Sequence, residues 1–168
     1  EHPLCEELCS GSEWEEGWRA LKEESSRMSE FERVNMLKDK KGVFLGRHAI
    51  NPISGERVPI YAGNFVVSTY GTGAVMAVPG HDQRDFDFAT EYNLEIRRVL
   101  EENRSGDFKE PMKRAFEGYG PMINSPIDGF DGLSGDQAKS AVISALKEKQ
   151  AGHGKVEYRL KDWLLSRQ

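Results

Sequence analysis

The sequence predicts an α+β architecture: a small, barrel-like sheet wrapped by helices. Three features predict it. Residues 1–41 are helical in character, with Trp14, Trp18 and Leu21, then Phe31, Val34 and Leu37, recurring at spacings of three and four. Residues 43–100 break into short apolar runs punctuated by Pro and Gly. Beyond a loop-rich insert, Asp136 to Gln150 is the clearest amphipathic helix, with Ala138, Ala141, Val142, Ala145 and Leu146 on one stripe.

Each element has a local reason. Ser12 followed by Glu15 has the form of a capping box and starts a helix. The run Lys38-Asp39-Lys40-Lys41 reads as a solvated helix end. Val43-Phe44-Leu45 opens a strand, and Asn51-Pro52-Ile53-Ser54-Gly55 is a turn by its Pro and Gly. Further short strands are predicted over Val58–Tyr61, Asn64–Ser68, Ala74–Val78 and Ile96–Leu100. Pro59 marks an edge or a bulge, because it has no N–H to give a ladder. Asp82 to Tyr92 reads as a helix, with Phe86, Phe88, Ala89 and Tyr92 as its apolar residues. Pro111, Pro121 and Pro126 make the insert a loop. Gly152 and Gly154 are placed to end the last helix, and Val156 to Leu160 alternates like a strand.

Composition narrows the function. At 38% hydrophobic and 30% charged, the 168-residue chain can bury one core, and no apolar run approaches the roughly 20 residues of a membrane helix. The opening Glu1-His2-Pro3-Leu4 is neither a signal nor a transit peptide and looks like a segment cut from something longer; the cytoplasmic location expected rests on the cysteines, read below as reduced thiols. A net charge of −5 argues against a free-standing nucleic-acid binder, which needs a basic face, but permits a module that meets one end of an RNA held elsewhere. Cys5 and Cys9 sit four apart with no second ligand pair, which favours reduced structural thiols over a disulfide or zinc.

The chemistry concentrates in Tyr70-Gly71-Thr72-Gly73-Ala74-Val75-Met76-Ala77-Val78-Pro79-Gly80-His81-Asp82-Gln83-Arg84-Asp85-Phe86. Gly71 and Gly73 let backbone approach a ligand closely. The apolar run breaks at Pro79-Gly80, and the helix that follows starts with carboxylates, which the helix dipole stabilises in ionised form. Asp82 and Asp85 are three apart, and His81 and Asp85 four apart, so both pairs are expected to share a face. An acidic mouth beside Met76 and Val78 suits a ligand with an ammonium group and an aliphatic side chain, such as an amino acid. Two plainer readings stay open at this level. Asp82 can be a helix cap alone and Asp85 a partner for Arg84, or His81, Asp82 and Asp85 can hold a metal, although they crowd one turn. His48 reads as structural, and His2 and His153 carry no assignment.

The stretch from Tyr70 to Ala89 resembles the core motif of the bacterial leucyl-tRNA synthetase editing domain. The resemblance continues in Asn51-Pro52 with Gly55-Glu56, in Pro59-Ile60 before Ala62-Gly63-Asn64-Phe65-Val66, and in Tyr158-Arg159-Leu160-Lys161-Asp162-Trp163 with Ser166-Arg167-Gln168. It implies an editing domain over residues 1–154, with residues 155–168 returning to a synthetase catalytic core.

The activity implied is post-transfer hydrolysis of tRNA(Leu) carrying a wrong aliphatic residue, such as norvaline or isoleucine. The need for it is physical: a hydrophobic pocket cannot strongly reject a neighbour differing by one methyl group. By matching position, Asp85 corresponds to the residue that grips the substrate ammonium. His81 and Asp82 match flanking pocket residues, and Tyr70, Met76 and Val78 match the wall around the side chain and adenosine. The implied partners are the tRNA 3′-terminal adenosine and the rest of a monomeric synthetase chain. No metal or cofactor is implied for the domain; ATP and magnesium belong to the parent's core.

Two departures accompany the resemblance. A threonine-rich strand expected just before His2 is not in the chain, which leads us to expect weak leucine discrimination and weak activity from the chain alone. The ATP-binding signatures of a class I synthetase are also not in it. Alternatives are the editing domain of isoleucyl- or valyl-tRNA synthetase, and a non-catalytic insert that docks the tRNA end.

Overall fold

In the computed structural model, residues 2–34, 40–67, 72–101 and 111–156 are described. Tyr70, Leu37, the Lys38-Asp39 half of the charged run, Ser68, and the segment from Glu157 to Gln168 with its closing motif lie outside them.

Three short helices come first: α1 (Leu4–Cys9), α2 (Glu15–Ser26) and α3 (Glu30–Val34). The capping box at Ser12 takes a different form from the one predicted. Glu15 reaches back to Gly11 N at 2.8 Å, while the Ser12 hydroxyl accepts from Trp14 N at 3.3 Å and donates to Cys9 O at 2.6 Å. The reciprocal box forms instead at α3, where Ser29 N donates to Glu32 Oε2 at 2.7 Å and Glu32 N donates to Ser29 Oγ at 3.2 Å.

Strands β1 (Gly42–Ile50) and β2 (Arg57–Gly63) form an antiparallel hairpin. The predicted turn joins them. Asn51 Oδ1 accepts from Ile53 N at 2.9 Å, and Gly55, at φ +74°, donates to Asn51 O at 2.8 Å. The register runs Gly42↔Gly63 to Phe44↔Tyr61, slips, and resumes at His48↔Pro59. The irregularity expected at Pro59 is therefore built into the opposite strand. There Gly46 takes φ +72°, which favours glycine, and a Cβ on it would stand 3.2 Å from the Trp14 ring, a tight contact.

The sheet is a middle layer. On one face Leu45 packs with Cys9 and Trp18 in the main core, joined by the half-buried Val43, Ile60 and Ala62. Both cysteines are free, and burial pushes the Cys9 thiol up, as suits a structural thiol. Toward the other face, Tyr61 meets Phe88 and Tyr92 of α4 (Gln83–Glu91) edge-on, and the Tyr92 hydroxyl accepts from Gly42 N at 2.7 Å. A Cβ at Gly42 would sit 2.5 Å from the Phe88 ring, so this glycine admits α4 to the sheet.

The α+β class holds, but the barrel does not. Among the described residues the sheet has two strands and is open. Asn64 and Phe65 form a turn, because Asn64 is buried and spent on Lys41: its N donates to Lys41 O and its Oδ1 accepts from Lys41 N, both at 3.0 Å. Ala74 to Val78 makes no ladder with any described residue, and Val75, Met76 and Val78 stay exposed. Ile96 to Leu100 contributes one isolated bridge, Leu100↔Met122. Two strands cannot close on themselves, so no barrel forms from them.

The last helix, α5 (Gly135–Glu148), appears where predicted, with its apolar stripe only half buried. It ends differently. Gln150, not a glycine, takes the left-handed position (φ +53°), with Ala151 N donating to Leu146 O at 2.9 Å. Gly152 and Gly154 instead lie along the tail beside Leu146 and Ile143.

Leu45 is 1% exposed at the centre of the main core. Leu45→Ala is expected to lower unfolding free energy by about 2–5 kcal/mol, measurable as a shifted urea midpoint with an unchanged slope.

Candidate functional site

Helix α4 begins where chain direction reverses through Val78–Asp82. His81 N and Asp82 N both donate to Val78 O, at 2.8 and 3.0 Å, which winds the reversal tightly. A Cβ at Gly80 would come within 2.5 Å of Arg97 O, so only glycine lets this turn press against residues 97–98. Phe116 N donates to Gly80 O at 2.9 Å and closes the turn from the third side.

Asp82 is the N-cap of α4. It accepts from Arg84 N at 2.8 Å and Asp85 N at 3.3 Å, and pairs with the Arg84 guanidinium at 3.3 Å. Burial pushes its carboxyl up, but Arg84 and the two backbone donors outweigh that and hold it below the ordinary value.

Asp85 differs in each respect. It is half-buried, and Oδ2 accepts from Val78 N at 2.8 Å. Its carboxyl is raised, chiefly by burial and further by Asp82, against the opposing pull of the Val78 N–H, Arg84 and Lys40. No hydrogen bond from a described residue reaches Oδ1. Among the described residues Asp85 is thus tied to backbone and forms no ion pair, and Arg84 leans on Asp82 instead. Val78, whose backbone N–H makes the bond to Oδ2, is 47% exposed, and Met76, two residues before it, is 64% exposed.

His81 does not share a face with Asp85, because it precedes the N-cap and turns the other way. Val99 N and Leu100 N both point at Nε2, each at 3.0 Å, so that nitrogen carries no proton. The proton sits on Nδ1 and is donated to Phe116 O at 2.9 Å. The ring staples three segments together. Tyr70, the remaining candidate, lies outside the described residues. Among those residues no group of three or more His, Cys, Asp or Glu could hold a metal, and no helix is long and apolar enough to cross a membrane.

Two residues take partners other than those the sequence suggests: Arg84, offered there to Asp85, and Lys40, read there as part of a solvated helix end. Arg84 sits between the carboxylates and selects Asp82, a choice its position alone leaves open. Lys40, its side chain 7% exposed, pairs with Asp87 at 2.8 Å and draws on Asp85 electrostatically. It lies 47 residues from Asp87, and no local pattern joins them.

Comparison with known proteins gives this geometry a setting. A family model described as "Leucyl-tRNA synthetase, editing domain" matches residues 1–147. A leucine–tRNA ligase of Clostridium botulinum (strain Hall) is 51% identical over 149 residues, covering 89% of this chain and 17% of that protein. Those of Clostridium perfringens (strain 13) and Rubrobacter xylanophilus are 45% and 44% identical, each across 100% of this chain and 20% of the relative. A solved structure, the ternary complex of Agrobacterium radiobacter K84 agnB2 LeuRS with tRNA and LeuAMS, superposes with TM-score 0.63 at 29% identity, covering 97% of this chain and 16% of that one.

The protein class is therefore that of aminoacyl-tRNA synthetase domains. Within it, the chain belongs to the family of leucyl-tRNA synthetase editing domains. It spans a fifth or less of the length of these relatives.

The two carboxylates are expected to respond oppositely to mutation. Asp82, held below its ordinary value, contributes stability that is present above its unfolded value and lost as pH falls through the lowered one. Asp82→Ala should therefore cost about 1 kcal/mol at pH 7 and progressively less in acid. Asp85, raised by burial, contributes stability only in acid and loses it as pH rises through the raised value. Asp85→Asn keeps an acceptor for Val78 N and removes the charge, so its Tm should be at or above wild type at pH 7. Thermal melts from pH 3 to 8 measure both.

Proposed function

We propose that this chain carries the editing site of a leucine–tRNA ligase, hydrolysing the ester that joins a wrong aliphatic amino acid to the 3′-terminal adenosine of tRNA(Leu). Residues 1–154 form the editing domain, and 155–168 lead back to a catalytic core that uses ATP and magnesium. The parent is a longer, monomeric, cytoplasmic synthetase.

The observation that carries this reading is Asp85: a half-buried carboxylate with one oxygen fixed by Val78 N and the other accepting no hydrogen bond from the described residues, on a helix whose preceding segment holds the exposed Met76 and Val78. An α-ammonium of the substrate forms a charge-assisted bond to Oδ1, stronger than a neutral one. Its aliphatic side chain lies along Met76 and Val78, with Tyr70 completing the wall by position. The ester carbonyl is then held for attack. Water oxygen bonds to the carbonyl carbon, the bond to the ribose oxygen breaks, and the proton released by the water passes to the displaced ribose oxygen. The products are the free amino acid and uncharged tRNA.

Positioning is the main catalytic contribution. Asp82 shapes the site by fixing the start of α4, from which Asp85 projects. His81 holds the turn that supplies Val78 N. The raised carboxyl of Asp85 has a function here, since an incoming ammonium repays part of its desolvation.

In a full-length protein carrying this chain, Asp85→Ala should lower deacylation of isoleucyl- or norvalyl-tRNA(Leu) by roughly 100-fold or more while leaving aminoacylation with leucine intact. Deacylation at the wild-type rate in that variant would refute the assignment.

A further inference from the structure

The half-buried ring of His81 bonds to its neighbours through backbone alone. Nε2 accepts from Val99 N and Leu100 N, each at 3.0 Å, and Nδ1 donates to Phe116 O at 2.9 Å, with the ring edge-on to that of Phe116. The segments it joins are held in turn by others. Val99 O accepts from Ile123 N, and Phe116 N donates to Gly80 O, both at 2.9 Å. The peptide of His81 belongs to the same knot: its N donates to Val78 O at 2.8 Å, and Val78 N donates to Asp85 Oδ2 at 2.8 Å. A continuous run of bonds therefore leads from the backbone of residues 99 and 100, through the ring and the 78–82 turn, to the carboxylate.

This arrangement fixes the charge of the ring. A nitrogen with two N–H groups aimed at it has to offer its lone pair, and a proton placed there would set three donors against one another. A carboxylate at that position would favour the charged ring, but among the described residues none bonds to it. On α4, Asp82 is taken by Arg84 and Asp85 by Val78 N. On the segment of Val99, Arg97 pairs with Glu56 and Glu95, and Arg98 with Glu101. The segment of Phe116 carries Lys113 and Arg114, while its Glu117 accepts from Gln83 N at 3.4 Å. Cations thus outnumber carboxylates on these last two segments, which also opposes a charged ring.

We propose that His81 is a positioning residue for the hydrolysis, and that its imidazole must be neutral, with the proton on Nδ1, for Asp85 to stand where it meets the substrate. Charging the ring in acid releases Val99 N and Leu100 N, loosens the 78–82 turn and draws the Val78 N–H away from Asp85. This deepens the hydrolytic reading above and rests on it.

The test uses the full-length protein carrying this chain, with isoleucyl-tRNA(Leu) as substrate, and compares His81→Gln with His81→Leu. Glutamine reaches as far as Nε2 and offers an acceptor there that takes no proton, whereas leucine offers none. At pH 7.5 His81→Leu should lower kcat for deacylation by at least roughly tenfold, and His81→Gln by no more than about threefold, with leucine aminoacylation unchanged in both. From pH 7.5 to 5.5 the wild type should lose kcat at least about threefold more than His81→Gln does. Losses that come from Asp85 or from the attacking water are common to the two proteins and cancel in that ratio. Hydrogen exchange at the Val99 and Leu100 amides, measured at pH 7.5, should speed up in His81→Leu and not in His81→Gln.

A wild-type kcat or unchanged exchange in His81→Leu overturns the proposal. Parallel acid profiles for the wild type and His81→Gln overturn it too, as does a kcat in His81→Gln as low as that of His81→Leu. If His81→Leu lowers the Tm of the whole protein, the ratio of acid profiles still decides, because it involves only the variant that keeps the acceptor. Wild-type deacylation by Asp85→Ala would remove the hydrolytic reading first. A failed His81 comparison beside an inactive Asp85→Ala removes only the role of the ring.

Discussion

Six backbone N–H groups around the start of α4 donate to side chains of a single pentapeptide, residues 81–85. His81 receives Val99 N and Leu100 N, Asp82 receives Arg84 N and Asp85 N, Gln83 receives Ala115 N, and Asp85 receives Val78 N. A buried donor left unpaired costs about 1–3 kcal/mol, so the loops that meet here depend on these acceptors. This explains how a segment with little regular secondary structure around it can present a carboxylate in a defined place. The placement of Asp85 comes from backbone satisfaction, not from a surrounding sheet.

The same arrangement separates two carboxylates that are only three residues apart. Asp82 is surrounded by donors and by Arg84, and its ionised form is stabilised. Asp85 is deeper, has one donor, and feels the charge of Asp82, so its ionised form is held at a cost. One is a structural cap and the other keeps unspent electrostatic demand, which a cationic ligand can meet. Pairs of titratable groups pushed in opposite directions by their surroundings are a recurring mark of functional sites. Here the physical cause of the divergence is visible in the hydrogen bonds themselves.

Much of the fold was legible because its signals are local. The hairpin turn follows from Asn51 and Gly55, whose side-chain bond and positive φ need no distant partner. Helices α4 and α5 follow from periodicity and from Asp82 as a cap. The failures are equally physical. Apolar runs at 64–68, 74–78 and 96–100 were read as strands, but a strand exists only when another chain segment accepts its ladder. Asn64 was drawn off by Lys41, and Ala74–Val78 meets no partner among the described residues. Proline is conspicuous, so Pro59 draws the expectation of an edge or a bulge, whereas the extra residues lie across the ladder around Gly46, whose positive φ and tight approach to Trp14 favour glycine.

The sequence by itself determined the family, the position of the acidic helix start, and Asp85 as the residue of interest, because these depend on residue identity and spacing along one short segment. Only the tertiary structure decided what each of those residues does. It turned His81 away from Asp85 toward the backbone of residues 99, 100 and 116, gave Arg84 to Asp82, brought Lys40 to Asp87, and placed Lys113 and Arg114 beside the same helix. Partners chosen across tens of residues are set by which segments pack together, and that depends on the whole chain's burial of apolar surface. A linear pattern can supply donors, acceptors and charges, but it cannot say which of them will meet.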